Sequence, residues 1–196
     1  MMQTIRHLNH IVRWNLRGKP VPPPHVVKQL AIKQYQKRFN LGVFVETGTY
    51  LGEMVEAMRA RFRKVYSVEL SAELCARARE MFARYPHVEI LQGDSSDMLP
   101  LILGRIVEPA LFWLDGHFSG GFTAQGPLDY PILKELEHIR RHEIKNHVIL
   151  IDDARLFEGT PNAPAKEQVL ARLREINPAY IIEEKDDIIR AFAGQQ

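Results

Sequence analysis

The chain has 196 residues, enough for one well-buried domain and short for two. Its 45% hydrophobic and 26% charged residues exclude collagen-like, disordered and disulfide-scaffold classes, and no apolar run approaches the roughly 20 residues of a membrane-spanning helix. The net charge of +2 hides an asymmetry: residues 1–45 hold eight Lys/Arg and no acid, and the remainder holds 18 basic against 24 acidic residues.

Ile5, Leu8, Val12 and Leu16 recur at helical spacing among basic residues, with no apolar core or cleavage site of a secretory signal. Pro20 and Pro22 to Pro24 mark a hinge, and Val26, Val27, Leu30, Tyr35 and Phe39 predict a second short helix. Residues 1–40 thus read as a basic helical extension ahead of a domain over 41–196. Its readings are a lid or a surface for pairing with a second copy, a surface for an anionic substrate, or a peripheral membrane contact. The lid or pairing role fits best. The charges lack the aromatic spacing of a specific nucleic-acid site.

From residue 41 the chain alternates. Strands are predicted at 43–47, 65–69, 88–92, 110–115 and 147–151, rich in β-branched and aromatic residues. Helices are predicted from about Gly52, over 72–82 behind an N-capping Ser71, over 99–103, from Pro131 to about 142, and over 166–176. The single cysteine, Cys75, lies in one of these helices as packing; it cannot form an internal disulfide, which fits a reducing cytoplasm. Residues 180–183 and 188–192 predict a closing antiparallel pair. Nearly continuous apolar strands separated by helices imply an α/β fold with a mostly parallel sheet covered on both faces.

In such sheets ligands bind beyond the carboxyl ends of the strands. All five of the first strands end in, or run directly into, an acid: Glu46, Glu69, Asp94, Asp115, and Asp152 with Asp153. The first turn, Glu46-Thr47-Gly48-Thr49-Tyr50-Leu51-Gly52, allows a tight bend and close backbone approach, but it is not the dinucleotide pattern G-x-G-x-x-G. Its acid suits a cationic or neutral ligand better than pyrophosphate. Glu69, seventeen residues past Gly52, can accept both hydrogen bonds of a ribose diol. If the fourth and fifth strands are neighbours, Asp115, Asp152 and Asp153 converge, and a cluster of oxygen donors suits a hard divalent ion. The alternative is that these acids only cap turns. The glycine-rich loop 118–127 reads as a substrate lid or as a plain connection, and Arg155 as a contact for an anionic acceptor or a charge balance.

The order of elements, E-x-G-x-x-x-G, the acid Glu69 and the Gly93-Asp94 pair resemble class I S-adenosylmethionine-dependent methyltransferases over about residues 41–194. That resemblance implies a Rossmann-like, doubly wound, seven-stranded sheet whose last strand runs antiparallel. It implies that Glu46, Thr47, Gly48, Thr49, Tyr50 and Gly52 line the methionine end of the cofactor. Glu69 with Leu70 would hold the ribose, Gly93, Asp94 and Ser95 would approach the adenine, and Asp115 would border the same ligand. The acids after the fourth and fifth strands further resemble the metal-dependent O-methyltransferases of the catechol type and of the type acting on antibiotic sugars. By that resemblance Asp115, Asp152 and Asp153 hold Mg²⁺ or Mn²⁺, and His117, two residues past Asp115, is the general base beside Asp115. The implied activity is methylation of a hydroxyl on a small acceptor. Two competing readings are a metal-independent methyltransferase and a cofactor-binding or assembly protein that performs no chemistry on the same fold.

Overall fold

Short runs of β-branched and aromatic residues alternate with runs of helical apolar period, and the chain folds into strands and helices accordingly. The computed structural model describes residues 2–115, 131–160 and 163–194, with side chains from residue 8. Helices α1 (Met2–Leu16) and α2 (His25–Phe39) precede β1 (Val43–Thr47), α3 (Glu53–Met58), β2 (Lys64–Glu69), α4 (Ala72–Phe82) and β3 (Val88–Gln92). There follow α5 (Ser95–Leu103), β4 (Ala110–Leu114), α6 (Ile132–Arg141), β5 (Val148–Ile151) and a 3₁₀ turn, Ala154–Leu156. The chain continues through β6 (Glu158–Thr160), β7 (Ala163–Ala165), α7 (Lys166–Ile176), β8 (Tyr180–Lys185) and β9 (Ile188–Ala193).

The main sheet has seven strands in the order β3-β2-β1-β4-β5-β9-β8. Strands β1 to β5 are mutually parallel, and β9, the last in sequence, runs antiparallel to both β5 and β8. Successive strand side chains point to opposite faces. Phe44, Leu111, Trp113 and Leu150 therefore meet α2, α3 and α4 through Ile32, Tyr35, Met58 and Phe82. Their neighbours Val45, Phe112, Leu114 and Ile149 meet α5, α6 and α7 through Leu99, Leu136, Ile139 and Leu173. The central strands β1, β4 and β5 are covered on both faces, so they carry no polar residues except at the end of β1.

Three local features differ from expectation for physical reasons. Helix α5 begins at Ser95 rather than near 99, because Asp94 caps it: its Oδ1 accepts from Ser96 N at 2.8 Å and from Ser96 Oγ at 2.6 Å. The polar first turn, Ser-Ser-Asp, hides this start from an apolar period. The small β6–β7 pair was not predicted, since three-residue strands carry too little pattern. In α1, Leu8, Val12 and Leu16 are exposed, at 61%, 47% and 82%. The contact falls instead to Trp14, which packs with Val26, Val27 and Ile11 and donates its indole N–H to Pro20 O at 2.8 Å.

Helix α2 is fastened to the sheet by more than its apolar side. Tyr35 Oη donates to Glu183 Oε1 on β8 at 2.7 Å, and its ring lies 5.1 Å from that of Phe192. Among the described residues no helix is long and apolar enough to cross a membrane. The strand order reverses between β1 and β4, whose onward connections lead to opposite sides. A crevice therefore opens beyond their carboxyl ends.

Candidate active site

The turn leaving β1 is held in one shape by its backbone. Gly48 N and Thr49 N both donate to Val68 O, at 2.9 and 3.1 Å, and Gly52 N donates to Thr49 O at 2.8 Å. Gly48 and Gly52 lie at φ +92° and +76°, and Tyr50 at +47°. A Cβ on Gly52 would sit 2.9 Å from Phe82 Cε2, so glycine is required there by both backbone and packing.

Glu46 is buried on β1 and accepts from Ser67 Oγ, which is itself 2.6 Å from Thr49 Oγ1. Burial pushes the Glu46 carboxyl up to about 8; the Ser67 hydrogen bond works against that shift and the charge of Glu69 adds to it. Glu69, ending β2, accepts from Tyr50 N through Oε2 at 2.7 Å and from Ser71 N through Oε1 at 2.9 Å. Each carboxylate oxygen keeps a second lone pair for a ligand hydroxyl. Gly93 N donates to Glu69 O, and Gln92 Nε2 to Leu70 O. The β3 end, with Asp94 and Ser95, thus sits beside the β2 end. Glu46, Thr47, Gly48, Thr49, Tyr50, Gly52, Glu69, Leu70, Gly93, Asp94 and Ser95 all fall along the carboxyl edge of β1, β2 and β3.

On the other side of the switch point, parallel pairing continues one residue past the strands. Asp115 N donates to Thr47 O at 3.2 Å, and Asp152 N to Leu114 O at 3.1 Å. This brings Asp115, Asp152 and Asp153 together, with one carboxylate oxygen of each within 4.8 Å of the others. Burial, followed by the charge of Asp152, raises the Asp115 carboxyl well above its ordinary range. Asp152 is also raised, by burial first, against the pull of Lys28. Among the described residues, nothing hydrogen-bonds to the buried Asp152 Oδ1. Such an atom is costly unless something donates to it or is coordinated by it.

Two residues at this site escaped the sequence reading. Lys28, on α2, donates to Asp152 Oδ2 and, at 3.4 Å, to Asp153 Oδ1. Burial opposes the Lys28 charge, but Asp152, Asp115 and Asp153 outweigh it and raise its pKa. Glu135, on α6, is buried, and among the described residues its Oε1 has no partner. Burial pushes it up to about 7, while hydrogen bonds involving Ser95 and Thr47 act the other way. Both carried a faint signal. Lys28 recurs with Ile32 and Tyr35, and Glu135 with Ile132 and Ile139, on apolar helix faces where a charge is out of place.

A half-open pocket lies between these groups, with Asp115, Asp152 and Glu135 as polar walls and Leu114, Ile151 and Phe157 as apolar ones. Arg155, beside it, donates to Asp153 Oδ1 at 2.8 Å and pairs with Asp187, so it balances charge here. His117 and the loop 118–127 lie outside the described residues.

No protein-family model matches the sequence, and no curated protein matches it significantly. Solved structures do match the fold. An O-methyltransferase from Bacillus cereus, in complex with S-adenosylhomocysteine, is 16% identical over 95% of this chain and 90% of its own, with a TM-score of 0.60. The O-methyltransferase TomG from Streptomyces achromogenes, involved in tomaymycin synthesis and in complex with S-adenosylmethionine, is 14% identical over 96% of this chain and 89% of its own, at 0.58. The N-methyltransferase NodS from Bradyrhizobium japonicum is 12% identical over 86% and 95%, at 0.54. The chain has the class I methyltransferase fold. Oxygen and nitrogen methylation both occur on it, so the acceptor must be argued from the site.

Proposed function

We propose that this protein transfers the methyl group of S-adenosylmethionine to a hydroxyl of a small acceptor bearing adjacent oxygens, a sugar or another vicinal diol, with the help of Mg²⁺ or Mn²⁺. The observation that carries this reading is the convergence of Asp115, Asp152 and Asp153 beside the glycine turn, at the switch point of a methyltransferase fold.

The residues suit the cofactor. Gly48 and Gly52 give the turn the positive-φ backbone of a tight bend, buried Glu46 offers a carboxylate to the methionine ammonium, and Glu69 keeps lone pairs for the ribose hydroxyls. Asp94 and Ser95 border the adenine in this reading. The acid cluster suits a hard divalent ion, because its donors are carboxylate oxygens and Asp152 Oδ1 is buried with no partner among the described residues. When bound, such an ion lowers the pKa of an acceptor hydroxyl and holds two neighbouring oxygens in place. Asp115, Asp152 and Asp153 orient the acceptor, the apolar walls Leu114, Ile151 and Phe157 exclude water, and His117 takes the hydroxyl proton. The oxygen then attacks the methyl carbon as the carbon–sulfur bond breaks, and positioning supplies much of the rate. The free, buried thiol of Cys75 accords with the reducing cytoplasm as its setting.

The ion pair of Lys28 with Asp152 favours a second reading, in which Lys28, with Arg155 on Asp153, neutralises the cluster and no metal is used. Labelled S-adenosylmethionine offered with a panel of catechols and diol sugars separates the two. The metal reading expects transfer that EDTA abolishes, Mg²⁺ restores and Asp152→Ala eliminates. Equal turnover in EDTA overturns it in favour of the second.

A further inference from the structure

Lys28 reaches the acid cluster from 124 residues away in sequence. Its position follows from the docking of α2: Ile32 and Tyr35, one and two turns further along, are fully buried against the sheet, and Lys28 shares their side of the helix. Only 14% of its side chain is exposed, and the Asp152 side chain it meets is not exposed at all. Lysine is rarely buried to this degree without a partner. Asp153 has a second cation in Arg155, which it shares with Asp187. Among the described residues, the ion pair that Asp152 makes is with Lys28.

We propose that Lys28 is the resident cation of the acid cluster, a tethered ammonium that holds Asp152 and Asp153 beside Asp115 when no divalent ion is bound, and that an incoming ion must displace it. The inference rests on the metal reading above and adds to it a built-in competitor. Lys28 holds Asp152 Oδ2 and reaches Asp153 Oδ1, oxygens of two of the three carboxylates that an ion would take. The ammonium is a single compact charge on a flexible stem, able to swing out without moving α2. A divalent ion carries twice the charge and takes several carboxylate oxygens at once, Asp152 Oδ1 included. Lys28 therefore sets the metal concentration at which the site loads.

Titration with Mn²⁺ alone, followed by calorimetry and by the spin resonance of free Mn²⁺, tests this on the full chain. Lys28→Met keeps the stem and removes the charge, so it should bind Mn²⁺ at least about tenfold more tightly than the wild type. Lys28→Arg, which retains the charge, should bind no more tightly than the wild type. In EDTA, Lys28→Met should melt below the wild type, and Mn²⁺ should close that gap. Equal or weaker Mn²⁺ binding by Lys28→Met, with binding still lost in Asp152→Asn, overturns the role of Lys28 and leaves the metal site standing. No binding by any form overturns the metal reading and the competition together. A measurement on the unmutated protein guards against a variant that fails to fold. Acetylation of the Lys28 amine, read by mass spectrometry, should speed up when Mg²⁺ saturates the site, and unchanged labelling overturns the displacement.

Discussion

Replacing Glu46 with Gln tests the cofactor end of the site through its protons. The carboxyl is buried and pushed up to about 8, so in the ligand-free protein at neutral pH most molecules hold it protonated. If a ligand ammonium needs the ionised form, affinity follows the ionised fraction, which grows from about 1% at pH 6 to roughly a quarter at pH 7.5. Affinity for S-adenosylhomocysteine should therefore rise about twentyfold over that range, or about 1.8 kcal/mol. Calorimetric titration in two buffers of different ionisation enthalpy reads both the affinity and the proton released on binding. Glu46→Gln should bind weakly at pH 7.5, without proton release and without pH dependence. Stability carries the same signature with its own sign. A carboxyl raised in the folded state stabilises it fully below the ordinary carboxylate pKa of 4.5 and loses that contribution as pH rises through about 8. The ligand-free wild type should lose up to ~5 kcal/mol from this group between those limits, and Glu46→Gln should not. An affinity that is flat from pH 6 to 7.5 in the wild type refutes the reasoning, as does a glutamine variant that binds equally well.

Gly52→Ala combines positive φ with a close approach to Phe82 and should cost about 2 kcal/mol in urea unfolding, with cofactor affinity falling alongside; a change within about 0.5 kcal/mol would show that the turn tolerates a side chain. His147 is buried neutral, its pKa pushed down to about 3 by burial and then by His142 and Lys145. A depressed histidine stabilises the fold above its ordinary 6.5 and loses that contribution as pH falls toward 3. His147→Gln keeps an acceptor for Ala110 N and should lose several kcal/mol less than the wild type between pH 7 and 4 in paired urea titrations. Equal losses would place the acid sensitivity elsewhere.

The parts of this protein legible in the sequence were those written in short-range pattern. Alternating apolar strands and helices announced the parallel sheet, and the polar residues at strand ends announced its carboxyl edge. Asp115 meets Asp152 because β4 and β5 are parallel neighbours in register, a consequence of topology that needed no side-chain detail. Long-range pairing was not legible. Lys28 sits in a basic stretch that looks like solvated surface, and only the docking of α2 turns it toward Asp152. Glu135 hides in an amphipathic helix whose neighbours Leu136 and Ile139 read as ordinary core. In α1 the apolar spacing pointed to Leu8, Val12 and Leu16, but the indole of Trp14, with more surface to bury and an N–H to satisfy, took the contact.

Calorimetric titration of the purified protein with S-adenosylmethionine, first in EDTA and then in Mg²⁺, tests the central claim most directly. The account predicts micromolar binding, weakened by Glu46→Gln, and a separate Mg²⁺ heat that disappears in Asp152→Ala. An absence of cofactor binding in both conditions would contradict it and leave a methyltransferase fold put to another use.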